Sequence, residues 1–342
     1  MPVKKTAEFW PRWLKYVVAF LLSGALLYLV LRGVDFSRLG RQLKSADGVL
    51  LVLAIGLGVT SHFLRAIRWK ALQGDRAVKN LRFFFSSMMI GYLANNILPA
   101  RMGEIIRIYV LNKKTGLSKS TSAATVVLER IIDALILVLL VAVMSFFLPV
   151  PAMVQRGCLI GSVVFLSLFL LLLLLDFKAE SFVPRILRVM AFLSNSLSQK
   201  MQGILERFRN GLTVFHSGKQ FLAVLFFTFL IWSLETMAVI FIMAALHMDL
   251  PWLAALFVIA VISLSFVIPA APGAMGTYEF FTVVALAPFT KDKSLALGLA
   301  LVLHASMYLT STALGLICLW GEGLSLRALV IRTHSSREAD VS

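Results

Sequence analysis

Six long apolar runs divide the chain: Trp13–Leu31, Val49–Leu64, Thr121–Leu148, Cys158–Leu175, Phe221–Leu246 and Ser294–Trp320. Each approaches or exceeds the roughly 20 mostly apolar residues that carry an α-helix across a bilayer. Two further runs are interrupted. Phe83–Leu98 stops at Pro99 and Met102–Leu111 follows at once; Pro251–Val267 stops before Pro269 and Pro272, and Thr277–Phe289 follows. The second piece of each pair is too short to span. The pattern predicts an all-α integral membrane protein with about six to eight transmembrane helices, two of them re-entrant or broken.

The two interruptions resemble each other. One reads Pro99-Ala100-Arg101-Met102-Gly103-Glu104, the other Pro272-Gly273-Ala274-Met275-Gly276 with Tyr278 and Glu279 close behind. Pro and Gly leave backbone groups unpaired, and irregular backbone at membrane depth is tolerated only where protein buries it or a wet cavity meets it. Ordinary helix-ending loops at the interface would give the same residues. The matched pattern favours two hairpins facing one shared site.

Charge tests that reading. With a cytoplasmic N-terminus and two re-entrant pairs, the basic segments around Arg65 to Arg82, Lys113 to Lys119 and Lys178 to Lys219 fall inside, as does the tail with Arg327, Arg332 and Arg337. This follows the positive-inside rule. One loop breaks it: Arg32, Arg38, Arg41 and Lys44 fall outside. Each half then reads span, span, hairpin, span, so 158–320 would be an inverted repeat of 13–148, with the hairpins meeting near the midplane. The whole chain, 1–342, is expected to be a single polytopic domain, with a connector at 177–220 and a polar tail at 321–342. Within the connector, Met201, Ile204, Leu205, Phe208, Leu212 and Phe215 keep helical spacing. That suits an amphipathic helix lying on an anionic leaflet or on the protein's own face.

Composition agrees with the pattern. The chain is 59% hydrophobic and 15% charged, with net charge +16. The basic residues sit between apolar runs and do not interleave with aromatics, so they fit anionic lipid and not nucleic acid. Membrane lipids are the expected partners and the cytoplasmic membrane the expected location. Cys158 and Cys318 lie within apolar runs and imply no disulfide or metal site. The first run is too long for a signal-peptide core and reads as a first span with no removed leader. No cofactor is expected, and no phosphate-loop, nucleophile-elbow or zincin motif occurs.

Charged groups kept inside the bilayer are candidates for function. Arg101, Glu104 and Arg107, spaced by three, share a helical face, where Glu104 can pair with either arginine. They suit a lipid phosphate, because guanidinium binds phosphate with two parallel hydrogen bonds, or else an interfacial ion ladder. Glu129 and Asp133 are one turn apart, about 13 Å along a helix that starts near Ser120. They read as a substrate or proton site, or as a structural ion cluster. Arg130 would point away from both, free to pair across to another helix and leave the two acids to a cavity. Glu235 sits in mid-span and should face the bundle interior. Asn95 and Asn96 could bond free backbone groups or a headgroup. Gly103, Pro272, Gly273 and Gly276 shape the breaks. His304 reads as a packing histidine, and Arg65, Arg68 and Trp69 as interface anchors ending the second span.

The stretch from Tyr92 to Arg107, then Glu129-Arg130-Ile131-Ile132-Asp133, then Pro269 to Glu279, resembles the lysylphosphatidylglycerol synthase transmembrane family, also called flippase-like domain proteins. The resemblance covers roughly Trp13 to Trp320. It implies a membrane domain like the one that, in two-part synthases, moves an aminoacylated phospholipid between leaflets, here without the soluble domain that makes the lipid. Family members are also linked to glycolipid and polyisoprenoid pathways. The expected function is a flippase or transporter of a phospholipid or lipid-linked headgroup. A membrane-embedded transferase on a lipid-linked substrate and a scaffold of an envelope-lipid enzyme are the alternatives.

Overall fold

The computed structural model describes residues 12–74, 80–98, 102–178, 183–184, 187–188, 195–266, 268 and 270–325. Arg101, Pro99, Pro269 and the expected tail beyond 325 lie outside them. No strand occurs among the described residues. The helices are α1 (Arg12–Leu31), α2 (Phe36–Lys44), α3 (Gly48–Leu72), α4 (Leu81–Ile97), α5 (Gly103–Thr115), α6 (Lys119–Met144), α7 (Ala152–Phe177), α8 (Asn195–Arg209), α9 (Gly218–Ala245), α10 (Trp252–Ser265), α11 (Thr277–Leu286) and α12 (Lys293–Gly321).

Four of these, α3, α7, α9 and α12, are long and apolar enough to cross a membrane, and α1 with α2 forms a further pair bent by 89°. Residues on the outside are apolar, as a lipid-facing surface requires: Phe146, Phe147, Leu159, Phe229 and Trp320 are all exposed. The helix in the connector is present as α8. Its neighbour on α6 receives it directly, with Thr121 Oγ1 donating to the Arg207 carbonyl at 2.9 Å. That end of α8 therefore rests on the protein's own face.

Two ends of the bundle can be told apart by what meets there. At the basic end Lys114, closing α5, reaches Glu322 beyond α12 at 2.6 Å. Gln73 after α3 donates to Thr125 near the start of α6 at 3.0 Å. His216, just before α9, pairs with Asp176 near the close of α7 at 2.8 Å. Burial raises the Glu322 carboxyl, but hydrogen bonds from Lys114 and Ser86 and the charges of Lys114 and Arg82 outweigh it and hold the group below the ordinary glutamate value. At the opposite end Asp47 N donates to the Ala245 carbonyl at 2.9 Å, and Asp35 N donates to Ser294 Oγ at 2.9 Å. The basic helix α2 lies here, and its Arg38 is neutralised by Asp292 at 2.8 Å.

The interrupted runs follow from this geometry. α4 starts and α5 stops at the basic end, whereas α10 starts beside the end of α9 and α11 stops just before α12 starts. The two pairs are hairpins that enter from opposite ends. Their packing is reciprocal: α4 lies on α12, α10 lies on α6, and α3 packs along α9. The turns meet, since a methyl on Gly273 would lie 2.7 Å from the Tyr308 ring and 3.7 Å from the Asn96 carbonyl.

Close helix approach at small residues holds the first hairpin shut. A Cβ on Gly91 of α4 would lie 2.8 Å from the Gly103 carbonyl and 2.9 Å from Arg107 Cβ. Gly103 N also donates to Asn95 Oδ1 at 2.7 Å, giving the start of α5 a cap from α4. Gly91→Val should therefore lower stability by at least the roughly 1–3 kcal/mol of an overpacked core, read as thermal unfolding in detergent. Gly157→Ala, where a Cβ meets nothing within 4 Å, should leave the midpoint unchanged.

Candidate functional site

The polar centre begins on α3. Apolar character fades at Leu64, but the helix runs on for two more turns, because other helices supply partners for its arginines. Arg68 Nη1 donates to Asp133 Oδ1 at 2.6 Å and Nη2 donates to Oδ2 at 2.9 Å. Nη1 also donates to Thr228 on α9 at 2.9 Å, and Nη2 lies 3.3 Å from Glu129 Oε1. The Arg68 side chain is 1% exposed. Arg65 Nη2 donates to Glu235 Oε1 at 3.2 Å, and Ser61 Oγ donates to the same oxygen at 2.6 Å. The Arg65 guanidinium lies over Trp232, 5.2 Å from the ring centroid. The reading of Arg65, Arg68 and Trp69 as interface anchors is thus corrected: all three are buried.

The other acids are matched in the same way. Arg107 on α5 reaches Glu129 Oε2 at 3.4 Å and lies over Trp69 at 4.9 Å. Arg130 lies 3.9 Å from Glu129 and 3.8 Å from Glu104. Arg130 thus pairs across to another helix, and Asp133 lines the adjoining cavity, as expected; Glu129 does not, because Arg68 of α3 and Arg107 of α5 close on it and leave it 1% exposed. Glu104 pairs with Arg130 of α6, and Arg107 with Glu129; Arg101, the third member of the expected ladder, lies outside the described residues.

A cavity of about 680 Å³ opens beside this network, bounded by α3, α6, α9, α10, α12 and both hairpin turns. One wall is polar, with Arg65, Glu235, Asp133, Arg130 and Glu104. Aliphatic residues such as Ile55, Leu137, Ile242 and Ile259 make the other. Of the residues expected at a site, Asn95, Asn96, Glu104, Arg130, Asp133, Glu235, Gly273 and Tyr278 line it. Asn96 also ties the first hairpin to α12, donating to Ser311 and Thr312 at 2.9 Å each. Arg107 and Glu129 stand behind the wall. Gly103, Pro272, Gly276 and Glu279 build the turns: Pro272 opens a 3-10 turn, Pro272–Ala274, and Gly276 N donates to Glu279 Oε2 at 2.7 Å. His62, Arg65 and Trp232 line the cavity and were not expected there. The signal available was His62, Arg65 and Trp69 recurring at helical spacing across the end of the apolar run at Leu64.

Among the described residues no group of His, Cys, Asp and Glu could hold a metal ion.

Apolar helices around paired charges, with two broken helices meeting from opposite ends, define a multi-pass helical membrane protein with a partly open, polar-lined cavity. A family model described as the lysylphosphatidylglycerol synthase TM region matches residues 16–315, and the chain belongs to that family. Glycosyltransferase AglD of Haloferax volcanii is 26% identical over 314 residues, covering 82% of this chain and 50% of that protein. The chain thus spans about half the length of that relative. A UPF0104 membrane protein of Methanocaldococcus jannaschii is 28% identical over 227 residues, covering 65% of this chain and 91% of the relative. Another, of Methanothermobacter thermautotrophicus, is 25% identical over 319 residues, covering 89% and 93%. No solved structure matches the chain.

The network makes a stability prediction. Removing one partner of a buried pair costs about 3–5 kcal/mol because the other charge is stranded. Asp133→Asn and Arg68→Ala should each lower the unfolding midpoint in detergent sharply. A midpoint within error of the wild type in both would show that Arg68 is not held as a buried ion pair.

Proposed function

We propose that this protein carries a lipid between the leaflets of a cytoplasmic membrane, with the polar headgroup in the cavity and the acyl or isoprenoid chain along its aliphatic wall. The observation that carries this reading is the cavity itself, polar on one side, aliphatic on the other and closed by two hairpin turns from opposite ends. A site that exchanges hydration for fixed polar groups suits a headgroup crossing hydrocarbon, and its volume is in the range of small-ligand sites, about 300–1,000 Å³. Membership of a family described by a lysylphosphatidylglycerol synthase membrane region supports a lipid cargo.

The residues that meet the headgroup change from those the motif alone suggests. Arg107 is 1% exposed, pairs with Glu129 through Nη1 and lies over Trp69; its Nε and Nη2 have no hydrogen-bond partner, but the residue does not line the cavity. Arg65 and Arg130 stand at the wall instead, each already beside a carboxylate, so a headgroup phosphate would have to compete with Glu235 or Glu104. The displaced carboxylate would then have to take up a proton or meet a cationic group of the headgroup, since it would otherwise be left unpaired.

The transferase reading has one observation in its favour, the relative named as a glycosyltransferase. The two readings separate in reconstituted vesicles that contain lipid and no donor. Transport predicts leaflet exchange there. Gly58→Trp fills the cavity from a position where a Cβ meets nothing within 4 Å, and should abolish exchange with thermal stability retained. Glu235→Gln keeps the Ser61 bond, loses the Arg65 pair and should slow exchange at least several-fold. Wild-type exchange in both variants would remove the cavity from the transport path, and no exchange in the wild type would favour the transferase.

The basic end is proposed to face the cytoplasm. A cysteine at Lys113 should then be labelled by an impermeant thiol reagent only from inside, and one at Lys291 only from outside. Labelling of both from one side would overturn the opposed arrangement of the ends.

A further inference from the structure

His304 on α12 lies where the second hairpin turns. Its Nδ1 is 2.5 Å from Glu279 Oε1 and its Nε2 is 2.7 Å from the Gly273 carbonyl. Both ring nitrogens therefore face oxygen. A neutral imidazole carries one N–H and one lone pair. It cannot satisfy a carboxylate and a carbonyl together. The contacts close only when the pair holds one more proton: Nε2–H donates to Gly273, and a second proton lies between Nδ1 and Oε1, on either atom. In that state the pair has no net charge, which suits a site where His304 is 6% and Glu279 5% exposed.

Loss of that proton breaks one of the two contacts. If N–H stays on Nε2, a lone pair faces an ionised carboxylate; if it moves to Nδ1, a lone pair faces the Gly273 carbonyl. Either way the pair is left with one negative charge in the interior. What it holds is under backbone strain. Gly273 and Ala274 both take left-handed conformations, φ 67° and 60°, and Ala274 has a Cβ that disfavours it. The other oxygen of Glu279 accepts from Gly276 N at 2.7 Å and so caps the start of α11. Gly273, Ala274 and Tyr278 line the cavity.

We propose that the His304–Glu279 pair is a proton-binding site that latches the second hairpin turn, so that releasing the proton frees the Gly273–Ala274 turn at the cavity wall.

Among the described residues the other groups that face the pair at close range are uncharged. Tyr278 of α11 stacks on the His304 ring at 4.5 Å, and Tyr308 of α12 meets its edge at 6.2 Å. From α1 the turn is met by Ser23, whose Oγ accepts from Ala271 N at 2.9 Å, and from α4 by Asn96. The next carboxylate on the cavity wall is Glu235 of α9, held by Arg65 of α3. A proton on this pair is thus the local charge change that the turn can sense. The proton site stands without the transport reading; its use to drive lipid movement rests on that reading.

The test uses the full chain in lipid nanodiscs. Isotope-labelled histidine spectra, with the His304 signal identified by its loss in His304→Gln, should show a transition from a ring with both nitrogens engaged by protons to a ring with one as the pH is raised across the range in which the protein stays folded. A spin label on Met275→Cys, a position 54% exposed beside the turn, with Cys158 and Cys318 replaced by serine, should gain mobility at the same midpoint. In Glu279→Gln the His304 transition should shift and the label should lose its pH response. A His304 signal that stays in one state across the range overturns the proton site, and a label that ignores the His304 transition overturns the latch. Lipid exchange that follows the same midpoint would tie the latch to transport. A titrating pair and a moving label in a protein that exchanges no lipid would keep the latch and remove the transport reading.

Discussion

A charge in hydrocarbon must find an opposite charge or leave, and the architecture follows from how that demand is met. Arg65, Arg68, Arg107 and Arg130 stand against Glu104, Glu129, Asp133 and Glu235, four guanidinium groups and four carboxylates. They come from α3, α5, α6 and α9. Without hydrophobic force between helices in lipid, such polar contacts and close packing at small residues are what fix one helix against the next. The Arg68 fork, held by two oxygens of Asp133 and one of Thr228, sets α3, α6 and α9 in register together.

With that register set, the broken helices have somewhere to end. Backbone groups freed at the first turn are met by Asn95 at Gly103, and those at the second by Ser23 at Ala271 and Glu279 at Gly276. The turns close against the other half of the chain, Asn96 on α12 and Gly273 beside it. The cavity is the space left between the two turns and the charged wall. Its polar part lies at the ion network, and the same helices, α3, α6 and α9, turn aliphatic farther along, at Ile55, Leu137 and Ile242.

Much of this was legible in the sequence, for physical reasons that also explain what was not. Hydropathy locates helices by their apolar runs, and all six long runs became helices. The turns were marked by proline and glycine, which announce freed backbone whatever the surroundings. Hydropathy stops where charge begins, so it closed the second span at Leu64 although α3 runs to Leu72. Arg65 and Arg68 are tolerated only because partners arrive from 170 and 65 residues away, and spacing along one helix cannot reveal them. For the same reason the sequence left Glu129 and Asp133 open between a substrate or proton site and a structural ion cluster, and could not name Arg68 as the cation that meets both. His304 looked like packing because Glu279 stands on another helix.

Those two separations have a consequence for how the chain is made. α3 leaves the ribosome with two arginines and enters the membrane before anything can neutralise them. Arg68 waits for Asp133 on α6, a matter of 65 residues, while Arg65 waits for Glu235 across 170. A nascent chain therefore passes through a stage in which half its helices are synthesised and one cation still lacks its counter-ion. That favours α3 remaining beside the insertion machinery, or snorkelling at an interface, until α9 emerges. The Arg65 pair can close only once the second half of the chain has been made.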